Sequence, residues 1–242
     1  MRNGYRFKTA FVLGAGLGMR LRPLTERCPK PLLDIGGRPV ITYAMDHLLS
    51  IGIERFIVNT HYCSDMYLEK FPDRHWRGVP IIFRHEPILL DTAGGLKNIE
   101  DLLAEDQTIL CYNGDVIADL PMEGLLRLHE LRQPEATLVL RSSGPVLNVS
   151  LNEREEVCDL RHALNDPGIK SCLFTGIYAV EKSILQHIEA GRVETIVSIL
   201  IQRIAQRQGA VMGVVIDDGN WQDIGSIEAY ERLKTRTDVR EV

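Results

Sequence analysis

The chain has 242 residues, 45% hydrophobic, 25% charged and 6% aromatic. A chain of this length buries roughly 70% of its unfolded surface, which excludes disorder, collagen-like repeats and a disulfide-stapled scaffold. The net charge of −5, from 28 basic against 33 acidic residues, argues against a nucleic-acid partner, since neutralising phosphates requires a basic face.

Arg2, Arg6 and Lys8 precede an apolar stretch over 9–17 that mimics a secretory leader. Arg20 and Arg22 follow at once with no small-residue cleavage site, so a buried first strand over 8–13 is expected. A long irregular loop then runs to Gly37. Apolar residues at helical spacing predict a helix over 39–50, with Pro39 in its first turn. A strand follows at 53–59, a short helix at 64–71 and a strand at 79–83. A helix over 94–103, a strand at 107–111, a helix over 122–131 and strands at 136–141 and 174–180 come next. An amphipathic helix over 195–208, a strand at 210–216 and a helix over 226–233 complete the pattern. The apolar face of 195–208 (Ile196, Ile199, Leu200, Ile204) either buries against the sheet or meets a second copy in a homo-oligomer.

Strands alternating with helices mean βαβ units, hence an α/β chain with a mostly parallel sheet covered on both faces. The stretch 142–172 holds Asn148, Asn152, Asn165 and the turn Asp166-Pro167-Gly168. It reads as an irregular insertion over one sheet edge, so 1–242 is expected to form a single domain. Five cysteines without a Cys-x-x-Cys argue against disulfide or zinc frameworks and fit the reducing cytoplasm. No apolar run approaches the roughly eighteen residues of a membrane helix, so no membrane partner is expected.

In open α/β sheets ligands bind beyond the carboxyl ends of the strands. The loop after the first strand contains Gly14, Ala15, Gly16 and Gly18, then Arg20, Arg22, Arg27 and Lys30 against the lone acid Glu26. Glycines let a backbone wrap phosphate oxygens, and the cations suit a polyanion. A dinucleotide turn fails because the pattern is G-x-G-x-G and Pro23, Pro29 and Pro31 forbid the helix that must follow. A Walker loop fails for want of Gly-Lys-Ser/Thr. Asn113-Gly114-Asp115 and Trp221-Gln222-Asp223-Ile224-Gly225 each follow a strand, and Asp115 and Asp223 could converge on one Mg²⁺. His61 with Cys63 lacks the further ligands of a metal site, and His47 and His129 read as helix residues.

Together these segments resemble the sugar-1-phosphate nucleotidyltransferase family. The resemblance rests on the stretch from Gly16 to Arg20, Pro29-Lys30-Pro31, Asn113-Gly114-Asp115 and Trp221-Gln222-Asp223-Ile224-Gly225. Glu86 followed by Leu90-Asp91-Thr92-Ala93-Gly94-Gly95 resembles the base-reading stretch. Phe174-Thr175-Gly176-Ile177-Tyr178 resembles the strand that meets the sugar. The resemblance covers the chain from Thr9 to about Tyr230, in the family's order.

It implies a Rossmann-like three-layer sandwich of the nucleotide-diphospho-sugar transferase type. It also implies a reaction in which an NTP and a sugar 1-phosphate give an NDP-sugar and pyrophosphate. The glycine loop (Gly14, Ala15, Gly16, Gly18) and Arg20 would then hold the triphosphate, and Lys30 the reacting phosphate. Asp115 and Asp223 would hold Mg²⁺. Glu86, Asp91, Thr92 and Gly94 would line the base, and Asn148, Arg161, Thr175 and Gly176 the sugar phosphate. A carboxylate at Glu86 accepts both N1–H and N2–H of guanine, which orders GTP before UTP. Met19 stands where the family usually has Thr or Ser, and Asp91 where most members have Gly. A Glu-Lys-Pro before the sugar strand is absent, with Arg161 or Lys170 as stand-ins. Two other readings remain open: a non-catalytic regulatory homologue, and a cytidylyltransferase acting on a non-sugar phosphate.

Overall fold

The computed structural model describes residues 7–103 and 108–235. Arg2, Arg6 and Gln107, which the sequence places in the leader-like segment and a strand, lie outside the described residues. The elements in chain order begin with β1 (Thr9–Leu13), the hairpin β2 (Asp34–Ile35) and β3 (Arg38–Pro39), and α1 (Ile41–Ser50). There follow β4 (Arg55–Thr60), α2 (Asp65–Lys70), β5 (His75–Trp76), β6 (Val79–His85), α3 (Asp91–Lys97), β7 (Thr108–Asn113) and β8 (Val116–Ala118). Next come α4 (Glu123–Arg132), β9 (Ala136–Arg141), β10 (Val149–Leu151), β11 (Val157–Leu160) and β12 (Lys170–Glu181). The last are α5 (Ile196–Gln206), β13 (Val211–Val215), β14 (Trp221–Asp223) and α6 (Ile227–Thr235).

Packing divides the described residues into two compact units. The first comprises 8–89, 112–119 and 220–235, and the second the remainder. In the first unit β1, β4 and β6 are parallel, with Thr9 opposite Arg55 and Phe56 opposite Ile81, and β5 adds an antiparallel edge. Their apolar runs are what a parallel strand buried on both faces requires, and Phe11, Val12, Phe56, Ile57 and Val58 are fully buried. A further cluster joins Leu21, Leu33, Ile35, Tyr43, Ile117, Ile224, Tyr230 and Leu233. Tyr43 and Tyr230 tie it to the β2–β3 hairpin by donating to the carbonyls of Ile35 (2.9 Å) and Asp34 (3.0 Å).

Pro39 is not in a helical first turn. Gly36 and Gly37 take φ of 65° and 87°, the paired positive values of a two-residue hairpin turn, so Pro39 becomes the strand partner of Asp34.

In the second unit β9 lies between β13, parallel to it, and β12, antiparallel; β10 and then β11 extend the β12 edge antiparallel. The stretch read as irregular thus contains two strands. They are three and four residues long, too short to print a hydrophobic period. Helix α3 begins at Asp91 rather than Gly94. Its glycines, which resemble turn residues, instead allow the helix to pack closely, since a Cβ on Gly94 would lie 2.3 Å from the Arg192 carbonyl oxygen. The face of α5 carrying Ile196, Ile199 and Leu200 is buried within this unit, packed on α3 and β13. Its N-terminus is capped by the Thr195 hydroxyl, which accepts from Val197 N–H at 3.0 Å. Among the described residues no helix is long and apolar enough to cross a membrane.

Candidate active site

The glycine loop of the first unit is pinned at both ends. Gly14 donates its N–H to Asn59 Oδ1 (2.8 Å) and accepts from the Tyr67 hydroxyl (2.8 Å). A Cβ there would meet the Asn59 carbonyl oxygen at 2.6 Å, so only glycine fits. Gly18 has φ +60°, and its carbonyl accepts from the Thr25 hydroxyl (2.8 Å). Tyr62 in turn donates to the Thr25 carbonyl (2.7 Å). Between these anchors Gly16 is exposed, with nothing within 4 Å of the place a Cβ would occupy. Gly14 therefore sets the loop's course but cannot offer its engaged N–H to a phosphate. The prolines that forbid an α-helix leave three short 3-10 turns, and Lys30 opens the last of them.

Lys30 reaches two carboxylates. Its Nζ forms an ion pair with Asp115 Oδ2 and lies 3.8 Å from Asp223 Oδ1. The lysine side chain is 8% exposed against 26% and 40% for the aspartates, so the cation sits beneath two acids that face outward. Gly114 makes this possible: its N–H donates to the Leu13 carbonyl (3.0 Å), an approach so close that a Cβ would fall 2.5 Å from that oxygen. Asp223 is delivered by the β8–β14 pair, in which it faces Val116, and the following N–H, on Ile224, donates to the Asp115 carbonyl (3.1 Å). Gly225 leaves room beside it, since a Cβ would meet Asp223 Oδ2 at 2.9 Å and Arg20 Nη1 at 3.5 Å. Burial and the neighbouring Asp115 charge push the Asp223 carboxyl above the usual aspartate range, while Lys30 and Arg20 pull it back.

Such a pair fits a divalent cation. Two converging carboxylates that repel each other are relieved by added positive charge, and Mg²⁺ commonly takes one or two protein carboxylates plus substrate phosphates. Among the described residues no larger cluster of His, Cys, Asp or Glu is placed to hold a metal. His61 instead donates from Nδ1 to the Glu86 carbonyl (2.7 Å).

Glu86 departs from the base-reading role expected of it. Its side chain is 0% exposed, and its Oε1 accepts from Asn59 Nδ2 at 2.7 Å. A sealed carboxyl group committed to Asn59 does not present an edge to a base. Asn59, Tyr67, Tyr62 and Thr25 were not singled out by sequence. A lone Asn inside the apolar strand Arg55–Thr60 was the one available sign.

In the second unit, several residues expected to touch ligand serve the backbone instead. Thr175 is buried; its hydroxyl donates to the Val139 carbonyl (2.8 Å) and accepts from Ile177 N–H (3.2 Å). Gly176, with φ +80°, lies where β12 shifts register against β9. Gly94 is buried, with its N–H on the Glu194 carbonyl (3.2 Å), and the Thr92 hydroxyl accepts from Ile196 N–H (2.7 Å). Asp91 is exposed at φ +60° and accepts from Thr92 N–H (2.6 Å). Asn148 and Arg161 are brought together, Arg161 N–H donating to the Asn148 carbonyl at 2.7 Å, with Arg161 exposed.

A pinned glycine loop thus lies beside a lysine and two carboxylates at strand ends in an α/β protein, an arrangement whose chemistry suits phosphate groups. The chain belongs to the nucleotidyl transferase family, whose model matches residues 9–238. It is 29% identical over 226 residues to the mannose-1-phosphate guanylyltransferase of Mycobacterium tuberculosis, covering 92% of this chain and 62% of that protein. It thus spans about three fifths of the length of the curated relatives it matches. Among solved structures, the inositol-1-phosphate CTP transferase of T. maritima superposes with a TM-score of 0.78 at 18% identity, covering 98% of this chain and 94% of that one. HddC from Yersinia pseudotuberculosis gives 0.76 at 20% identity, with 94% and 98% covered. The fold is the Rossmann-like α/β type of the nucleotide-diphospho-sugar transferases.

Proposed function

We propose that the protein transfers a nucleotidyl group from an NTP to a sugar 1-phosphate, releasing pyrophosphate, with GTP preferred to UTP. The observation that carries this reading is Lys30 held between Asp115 and Asp223 near the glycine loop. Two polyanions must be brought into line, so the task is charge neutralisation and alignment rather than proton transfer. The exposed Gly16 and Arg20, together with Ala15 and Gly18, hold the triphosphate. Lys30 stabilises negative charge on the oxygens of the reacting phosphate. Asp115 and Asp223 would hold Mg²⁺, which supplies Lewis-acid neutralisation of the phosphate oxygens when bound. The preference for GTP draws support from the guanylyltransferases among the relatives rather than from Glu86. By the family resemblance Asp91 would line the base, and Asn148 with Arg161 the sugar phosphate. Five free cysteines accord with work in the cytoplasm.

The test is pyrophosphate release across a grid of NTPs and phosphate acceptors, sugar 1-phosphates and a cyclitol phosphate included. Turnover with GTP and a sugar 1-phosphate is expected. Release only with CTP and a non-sugar phosphate would move the protein to the cytidylyltransferases, and nucleotide binding with no release anywhere would make it a regulatory homologue.

A further inference from the structure

Asn59 and Glu86 form a buried relay that ends on the first residue of the glycine loop. Asn59 Oδ1 accepts from Gly14 N–H and Asn59 Nδ2 donates to Glu86 Oε1. A carboxamide has one accepting and one donating end, so it can serve Gly14 only if its NH₂ end finds an acceptor on the other side. Glu86 is that acceptor. Its own backbone is fixed by an N–H donated to the Thr60 carbonyl (2.7 Å) and by His61 on its carbonyl. Burying a carboxyl group is costly unless its hydrogen bonds are made. Here the arrangement leaves Asn59 a single orientation, and Gly14 is held at its N–H by Asn59 and at its carbonyl by Tyr67.

We infer that Glu86 is a positioning residue for nucleotide binding: through Asn59 it sets the course of the loop that places Gly16 and Gly18. The inference rests on the reading above, in which that loop holds the triphosphate.

The experiment measures Mg²⁺·GTP binding by calorimetry, pyrophosphate release and melting temperature for Asn59→Asp, Glu86→Gln, Glu86→Met and the pair Asn59→Asp/Glu86→Gln. Asn59→Asp sets two acceptors face to face, and GTP binding is expected to weaken about tenfold or more. Adding Glu86→Gln restores a donor opposite the new carboxylate, whose other oxygen still accepts from Gly14, so the pair recovers most of that loss. Glu86→Met removes the acceptor at similar volume. It should raise KM for GTP by about tenfold with a smaller change in kcat, and more than Glu86→Gln, which keeps an acceptor. The GTP to UTP ratio should hold in every Glu86 variant. A paired variant no better than Asn59→Asp, or a changed GTP to UTP ratio in Glu86→Gln, overturns the inference. Should Asn59→Asp fail to fold, an unchanged KM in Glu86→Met does the same. Wild type that binds GTP but releases no pyrophosphate tells against the transfer reaction alone.

Discussion

The backbone N–H of Ile224 donates to the carbonyl of Asp115, 3.1 Å away across more than a hundred residues of sequence. This bond closes the short β8–β14 ladder and brings the Asp223 carboxylate to the same lysine that holds Asp115. Each aspartate follows or occupies an ordinary strand. The pairing between those strands makes them one site.

Lys30 is the cation under that site. A positive group aimed at charge developing on a phosphate is worth about 3–4 kcal/mol in the transition state. Lys30→Ala is expected to lower kcat by roughly a hundredfold or more, with NTP binding weakened less. Steady-state kinetics with a loss under about threefold would remove Lys30 from the chemistry.

The two aspartates should act as a unit. If Asp115 and Asp223 share one Mg²⁺, Asp115→Asn and Asp223→Asn damage the same step, and the double variant is little worse than the worse single one. Mg²⁺-dependent turnover of the three proteins decides the matter, since multiplicative losses would mean independent sites.

The raised Asp223 carboxyl also has a stability consequence. Its folded state binds a proton more tightly than the unfolded chain does, so without metal this group's contribution falls as pH rises from the ordinary aspartate value through the raised one. Above that window, metal-free Asp223→Asn should melt no lower than wild type, and Mg²⁺ should raise the melting temperature of wild type only. Melting curves at pH 4 to 8 with and without Mg²⁺ check both, and a clearly lower melting point for the variant at neutral pH would contradict the shift.

Glycines in this chain divide by what surrounds them. Gly114→Ala forces a Cβ to 2.5 Å from the Leu13 carbonyl oxygen, with an expected cost of about 1–3 kcal/mol and displacement of Asp115. Gly16→Ala meets nothing within 4 Å and should change stability by no more than about 0.5 kcal/mol while weakening NTP binding. Denaturant titration beside GTP binding separates the two effects.

Asp91 adopts the left-handed conformation at φ +60° where the family resemblance expects glycine. Asp tolerates this region, and its side chain accepts from Thr92 N–H. Asp91→Gly should therefore be neutral to about 1 kcal/mol stabilising, and Asp91→Ala destabilising, as read from chemical denaturation.

Much of the first unit was legible in residue types alone. Apolar runs such as Thr9–Leu13 must be buried on both faces, and the prolines around Lys30 ruled out a helix, so the strands, the loop and the lysine follow from local chemistry. The convergence of Asp115 with Asp223 was expected from their places after strands. How it happens was not, because β8 and β14 are three residues each, too short to carry a period. Pro39 and Glu86 depart from their expected places for related reasons. Whether a proline starts a helix or ends a hairpin depends on the two glycines before it and on Asp34 across the turn. Whether a glutamate faces a ligand or a buried asparagine depends on a strand twenty-seven residues away in sequence. Local chemistry and periodicity are written in neighbouring residues, so the sequence by itself determined the α/β pattern, the glycine loop and the set of charged candidates. Which polar groups meet is set by pairing between distant strands, whose energy lies in contacts no single segment contains, and only the tertiary structure decided that.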